Sequence, residues 1–245
     1  MDITIPEMVR NGTMSAEMAA VIWAAVDEQV SFLTAAIPRF AGKTTTSNAA
    51  LALRRPDVPL HWVDGRPSEM ERLKQARSGG YLAVEEFERA PMPGYIWGEP
   101  VRRVFETVVD GGYALQAVLH ASSVEEAVQL VTKGNGVSDE HASVFSLILY
   151  IERFGSDYHS FWRRLTNLYE VHKVEDGRPI GHPLFRWDKA NDRFEKLMEP
   201  HQWGRDTTDL SRRRDLMQTL ASEGRTASDE VAQALGEYRQ SREHF

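Results

Sequence analysis

The chain has 245 residues, 42% hydrophobic and 27% charged, with a formal net charge of −7. That length holds one large domain or two small ones with a real core, and the acidic balance argues against a general nucleic-acid-coating surface. The absence of cysteine excludes disulfides, thiolate zinc sites and cysteine nucleophiles, and it fits a reducing cytoplasm.

The opening MDITIPEMVRNG lacks the basic start and apolar run of a signal peptide. No segment reaches the roughly 18 uninterrupted apolar residues of a spanning helix. Neither an internal repeat nor a low-complexity tract is present. SAEMAAVIWAAVDE (Ser15 to Glu28) reads as a helix with Ser15 as N-cap and Met18, Val21, Ile22 and Ala25 on one face. VSFLTAAI (Val30 to Ile37) reads as a strand, and GKTT then leads into TSNAALALRR, a helix ending before Pro56. VPLHWVD (Val58 to Asp64) is a second strand candidate, which completes the order of a βαβ unit with a parallel sheet.

Pro67 to Arg77 is predicted helical, and YLAVEEFE after Gly79-Gly80 is a short apolar strand closing on carboxylates. APMPGYIWGEP (Ala90 to Pro100), with three prolines and two glycines, is predicted to be an ordered loop. A helix over VRRVFETVVDGG and a strand over YALQAVLH (Tyr113 to His120) follow, and Ser122 or Ser123 caps the next helix, VEEAVQLVTK. Ser138 to Phe154 is predicted to be a buried apolar helix. From Phe161 the pattern predicts antiparallel strands joined by turns at Asp176-Gly177 and Asp188 to Asn191, on the edge of the parallel core. Ser211 to Phe245 returns to helix, in two pieces broken near Gly224.

Three short stretches have the residue types for phosphate chemistry. In a phosphate-binding loop, backbone N–H groups and a helix N-terminus face the phosphates, a lysine bridges the outer ones and a hydroxyl ligates magnesium. Lys43, Thr44 and Thr45 supply such side chains and Gly42 permits close approach, but the pattern G-x-x-x-x-G-K-[ST] has Ile37 in place of its first glycine. In YLAVEE, an acid stands at the C-terminal edge of a strand, where open α/β sheets bind ligands. It either orients magnesium or polarises water, or simply begins a solvated EEFER turn. In LQAVLHASS, His120 lies just past a strand and before a capped helix, placed either to sense a terminal phosphate or as an ordinary strand-end residue. His141, His172 and His182 show no ligand spacing and read as structural.

In this order the three elements resemble the secretion ATPase superfamily of type II and type IV secretion and type IV pilus assembly. GTMSAEMAAVIWAAV resembles its lead-in helix and AGKTTTSNAAL its Walker A segment. YLAVEEF looks like Walker B, with Glu86 at the catalytic glutamate position, and DGGYALQAVLHASSVEEAVQLV looks like the histidine box. RRLTNLYEVHKVEDG and LFRWDKANDRFEKL are similar to the closing C-terminal strands. The resemblance covers roughly residues 10 to 235. It implies a RecA-like P-loop NTPase core over residues 1–204, with a mostly parallel sheet and an antiparallel C-terminal strand extension, followed by a helical tail over residues 205–245.

It further implies a hexameric ring of identical subunits with ATP and Mg2+ between neighbours, driving an integral-membrane assembly platform. The expected location is cytoplasmic or peripheral at the inner face of the membrane, with no direct nucleic-acid partner. Nucleotide binding falls on Arg39, Ala41, Gly42, Lys43, Thr44 and Thr45, and catalysis on Glu86 and His120. Thr44, Asp64 and Glu86 are the metal candidates; Arg66, Arg72 and Arg77 are candidates to reach a neighbour's phosphates.

Three departures from the family stand out. Its usual N-terminal domain does not precede the core, and the segment between Asp64 and Glu86 is short. The family loop reads close to GGTGSGKTT, whereas Ile37, Pro38 and Phe40 here replace flexible residues, and Pro38 removes an N–H donor. Either the altered loop still binds nucleotide, or the chain is a catalytically inactive scaffold or regulator of the same fold. A monomeric P-loop kinase or nucleotide switch is the third reading.

Overall fold

The computed structural model describes residues 3–38, 40–155, 161–204 and 206–242. Helix α1 (Ile5–Arg10) leads into α2 (Ala16–Asp27), whose N-cap Ser15 hydroxyl accepts the Met18 N–H as the sequence predicts. Strand β1 (Ser31–Ala36) is buried at every position, and the loop after it opens α3 (Lys43–Leu51). Then come β2 (Leu60–Trp62), α4 (Pro67–Ala76), β3 (Tyr81–Ala83), α5 (Glu99–Gly111) and β4 (Ala114–His120). Ser123 caps α6 (Val124–Gln129) by accepting the Glu126 N–H, and one π-helical turn (Leu130–Gly134) follows.

The predicted helix over residues 138–154 is not formed. Ser138 caps a single turn, α7 (Asp139–Ala142), and the rest becomes β5 (Phe145–Phe154). Periodicity alone does not separate a strand buried on both faces from a buried helix. In β5, Leu147, Leu149 and Ile151 enter one core cluster while Ile148 and Tyr150 enter the other. Strands β6 (Trp162–Glu175), β7 (Arg178–Asp188) and β8 (Arg193–Lys196) form the predicted antiparallel extension, and α8 (Thr207–Glu223) and α9 (Ser228–Arg242) are parted at Gly224.

The strands form one sheet in the order β2-β3-β4-β1-β5-β6-β7-β8. Pairing is parallel from β2 through β5 and antiparallel from β5 to β8. Covering both faces with helices is what buries the central parallel strands β1 and β4, polar only at Ser31, Thr34, Gln116 and His120. Phe32 and Ala36 of β1 join a cluster that includes residues of α1, α2, α3, α8 and α9; Leu33 and Ala35 join one that includes residues of α4, α5 and α6.

The helical tail is tied to α2 by charge as well as apolar contact. Arg213 of α8 donates to Asp27 at 2.7 Å and to Asp209 at 2.7 Å, and its guanidinium lies over the Trp23 ring. Among the described residues, no helix is long and apolar enough to cross a membrane.

Candidate functional site

Parallel pairing brings the loop after β1 beside the end of β4, because Ala36 is directly paired with His120. Gly42 caps α3 with φ of 98°, a left-handed conformation that glycine adopts at low cost, and a Cβ there would lie 2.9 Å from Arg163 Cδ. Below the loop, Gln116 of β4 donates to Ser47 Oγ at 2.6 Å and Thr34 of β1 donates to the same oxygen at 3.3 Å. These buried bonds fix the first turns of α3 on the sheet.

The third component arrives from β3. Val84 and Phe87 continue to donate to carbonyls of β4 past the end of the strand. The residues between them bulge so that Glu86 bridges to Tyr95 of the predicted ordered loop. Glu86 is thereby turned into the protein, 5% exposed at the side chain.

Three side chains from separate elements therefore converge. Lys43 Nζ lies 3.4 Å from Glu86 Oε1, and 3.1 Å and 3.0 Å from the two ring nitrogens of His120. His120 Nε2 is 3.2 Å from Glu86 Oε1. Burial of the imidazole, reinforced by the Lys43 charge, lowers the His120 pKa below 6.5 against the opposing pull of Glu86. A neutral histidine beside a lysine–carboxylate pair is the result. Beside Glu86, the Tyr95 pKa is raised by burial first and then by the Glu86 charge.

A cleft of about 490 Å³ opens over this group, lined among others by Gly42, Thr44, Thr45, Glu88, Met92 and Arg163. Thr44 and Thr45 are exposed in the first turn of α3, while Ala41 is buried. A helix N-terminus, whose first N–H groups have no partner within the helix itself, together with a lysine, hydroxyls and a carboxylate, is a chemical environment for a polyanion and for activating a water beside it. For a magnesium ion, the hydroxyl of Thr44 and the carboxylates of Glu86 and Glu88 are suitable hard oxygen donors. Among the described residues, Glu86 Oε1 is buried and makes no hydrogen bond of good geometry, and it lies against Lys43 and His120.

The remaining predicted residues lie elsewhere. Asp64 and Arg66 pair with each other at 2.8 Å and line a separate, neighbouring cleft with Glu85 and Pro93. Arg72 and Arg77 are exposed, the first on α4 and the second at its C-cap. Arg39 lies outside the described residues. Sequence reasoning missed Arg163 of β6, which donates to the Phe40 carbonyl at 3.2 Å and closes one side of the loop. It also passed over Glu88, although the acidic EEFER stretch was the signal that could have found it.

No family model matches the sequence, and no curated protein matches it. Among solved structures, it is similar to the VirB11 ATPase from the Brucella suis type IV secretion system in complex with sulphate. That likeness has 12% identity and a TM-score of 0.44, and covers 63% of this chain. The chain spans about half the length of that protein, 52%. A likeness at that score is coarse, and the geometry of the cleft stands by itself.

Proposed function

We propose that the chain binds ATP with Mg2+ and hydrolyses it, as a motor of the secretion and pilus-assembly type. The observation that carries this reading is the meeting of Lys43, Glu86 and His120 in one cleft at the C-terminal edge of the parallel strands. These are the side chains of the three stretches on which the resemblance rests.

In this reading the N–H groups at the start of α3 and the Lys43 ammonium bind the β- and γ-phosphates. Lys43 exchanges its buried contacts with Glu86 and His120 for the phosphate oxygens. The freed Glu86 carboxylate then accepts a proton from, and orients, the attacking water. His120, uncharged and able to donate one N–H, hydrogen-bonds the γ-phosphate and registers its presence. Thr44 would hold magnesium, with Glu88 beside it and Glu86 an alternative ligand where it does not act as base, and the ion would neutralise phosphate charge. Asp64 stands as a further candidate ligand, and Arg66, Arg72 or Arg77 as arginines offered to a neighbouring subunit's nucleotide. The assembly proposed is a homo-hexamer in the cytoplasm, working on a membrane platform protein.

A second reading, an inactive scaffold of the same fold, is favoured by the loop itself. Pro38 offers no N–H, Phe40 has φ of 67° and is 72% exposed, and Arg163 packs against Gly42. Equilibrium binding of ATP to wild type and to Lys43→Ala, followed by turnover with Mg-ATP, separates the readings. Binding weakened about tenfold or more in the variant, together with turnover in wild type, supports the motor. Binding without turnover, with partners added, supports the scaffold, and binding unaffected by Lys43→Ala overturns both assignments of the loop. Molecular mass in solution with and without ATP tests the ring.

A further inference from the structure

The antiparallel extension gathers a second group of polar side chains, separate from Lys43, Glu86 and His120. Glu170 and His172 stand two residues apart on β6, and the register shift between Val171 and Lys173 leaves His172 Nε2 3.5 Å from Glu170 Oε2. His182 of β7 is paired directly across from Glu170. Their strands approach closely because Gly181 has no side chain: a Cβ there would lie 1.9 Å from the Glu170 carbonyl oxygen. The linker between β8 and α8 supplies His201, whose N–H and that of Gln202 are accepted by the Glu170 carboxylate at 3.0 Å and 2.9 Å.

We infer that Glu170, His172, His182 and His201 form a structural zinc site that pins the linker ahead of the helical tail to the antiparallel strands. Glu170 is 0% exposed, and its Oε2 lies 3.2 Å from His182 Nε2, 3.5 Å from His172 Nε2 and 3.7 Å from His201 Nδ1. All four candidate donor atoms lie within 4.8 Å of one another. Tetrahedral zinc with bonds of about 2.1 Å places neighbouring donors about 3.4 Å apart, so small rotations of the rings close the shell.

The alternatives account for the group less well. Among the described residues, His182 Nε2 is buried and has no hydrogen-bond partner of good geometry, although it lies 3.2 Å from Glu170 Oε2. Three imidazoles with ring centroids 4.7 Å, 4.9 Å and 5.9 Å apart repel one another when protonated. Burial of His182, with its two histidine neighbours and against the pull of Glu170, lowers its pKa below 6.5 and favours the neutral, ligating form. Three nitrogens and one oxygen select zinc over magnesium or calcium, which take shells dominated by oxygen. With four protein ligands the shell is closed, which marks a structural rather than a catalytic site.

The inference stands apart from the nucleotide reading and is tested on the whole chain. Protein stripped with a chelator is titrated with Zn2+ against a chromophoric competitor, and with Co2+ as a spectroscopic substitute. One equivalent of zinc that raises the melting temperature, and the intense visible bands of tetrahedral Co(II), are expected. His201→Ala alters a half-exposed ring on the linker and leaves the core intact. It should weaken zinc by more than the ~10–100-fold typical of losing a mere second-shell partner, and His182→Ala should do the same. His120→Ala, which breaks the other histidine–carboxylate group, should leave this equivalent in place. Unchanged affinity in both His201→Ala and His182→Ala overturns the site. So does a chain that takes up no zinc and responds at this cluster to pH alone.

Discussion

Two polar clusters are built on one sheet, and they are assembled in opposite ways. In the parallel half, Glu86 and His120 stand at or just past strand ends and Lys43 opens the helix after β1, and parallel pairing collects those junctions on one edge. In the antiparallel half, Glu170, His172 and His182 lie within strands, and meet only because the register sets Glu170 opposite His182. The first kind of site leaves a mark in the sequence, because each member adjoins a recognisable strand–loop–helix junction. The second leaves almost none.

The sharpest way to break the comparison is Glu86→Gln, which keeps shape but removes the carboxylate that serves as proton acceptor in the proposed ATPase. Turnover of Mg-ATP should fall by about 10²–10⁴-fold, the range for losing a general base, while ATP binding persists; a steady-state ATPase assay beside equilibrium binding checks both. Lys43→Ala should weaken ATP by about 10–100-fold, as expected for losing charged hydrogen bonds worth ~1.5–3 kcal/mol. Because it leaves Glu86 buried without its cation, circular dichroism should accompany that titration.

In the other half, Gly181→Ala should destabilise the fold by about 1–3 kcal/mol, the usual cost of overpacking. Its Cβ must displace the backbone of β6 at Glu170. Denaturant unfolding measures the loss, and ATP affinity measured in the same variant shows whether the parallel half feels it.

The smallest effect concerns the tail. Burial raises the Asp209 pKa, but hydrogen bonds from Tyr238 and Arg213 and the charges of Arg213 and Arg242 outweigh it and carry it below 3.8. A carboxylate with a depressed folded pKa contributes stability that is present above pH 3.8 and lost as pH falls through the folded value. Asp209→Asn should therefore flatten the decline in unfolding midpoint between about pH 5 and pH 2.

Much of the fold was legible in local pattern. Ser15, the pair Ser122-Ser123 and the break at Gly224 marked helix ends, and the Asp176-Gly177 turn marked a hairpin. Residues 138–154 were misread because an apolar run carries no period when both faces of a strand are buried, as they are in β5. Arg163 escaped notice because nothing beside it in sequence shows that β6 passes the loop at Phe40.

The sequence by itself determined the alternation of strands and helices, the caps, and the residue types at the strand ends. Those depend on neighbours a few positions away, where propensity and hydrogen bonding act directly. Tertiary structure alone decided that Lys43 is held by Glu86 and His120, that Asp64 faces a different cleft, and that three histidines surround Glu170. Such meetings depend on which strands pair and in what register, and that is settled by burying both faces of the whole sheet at once.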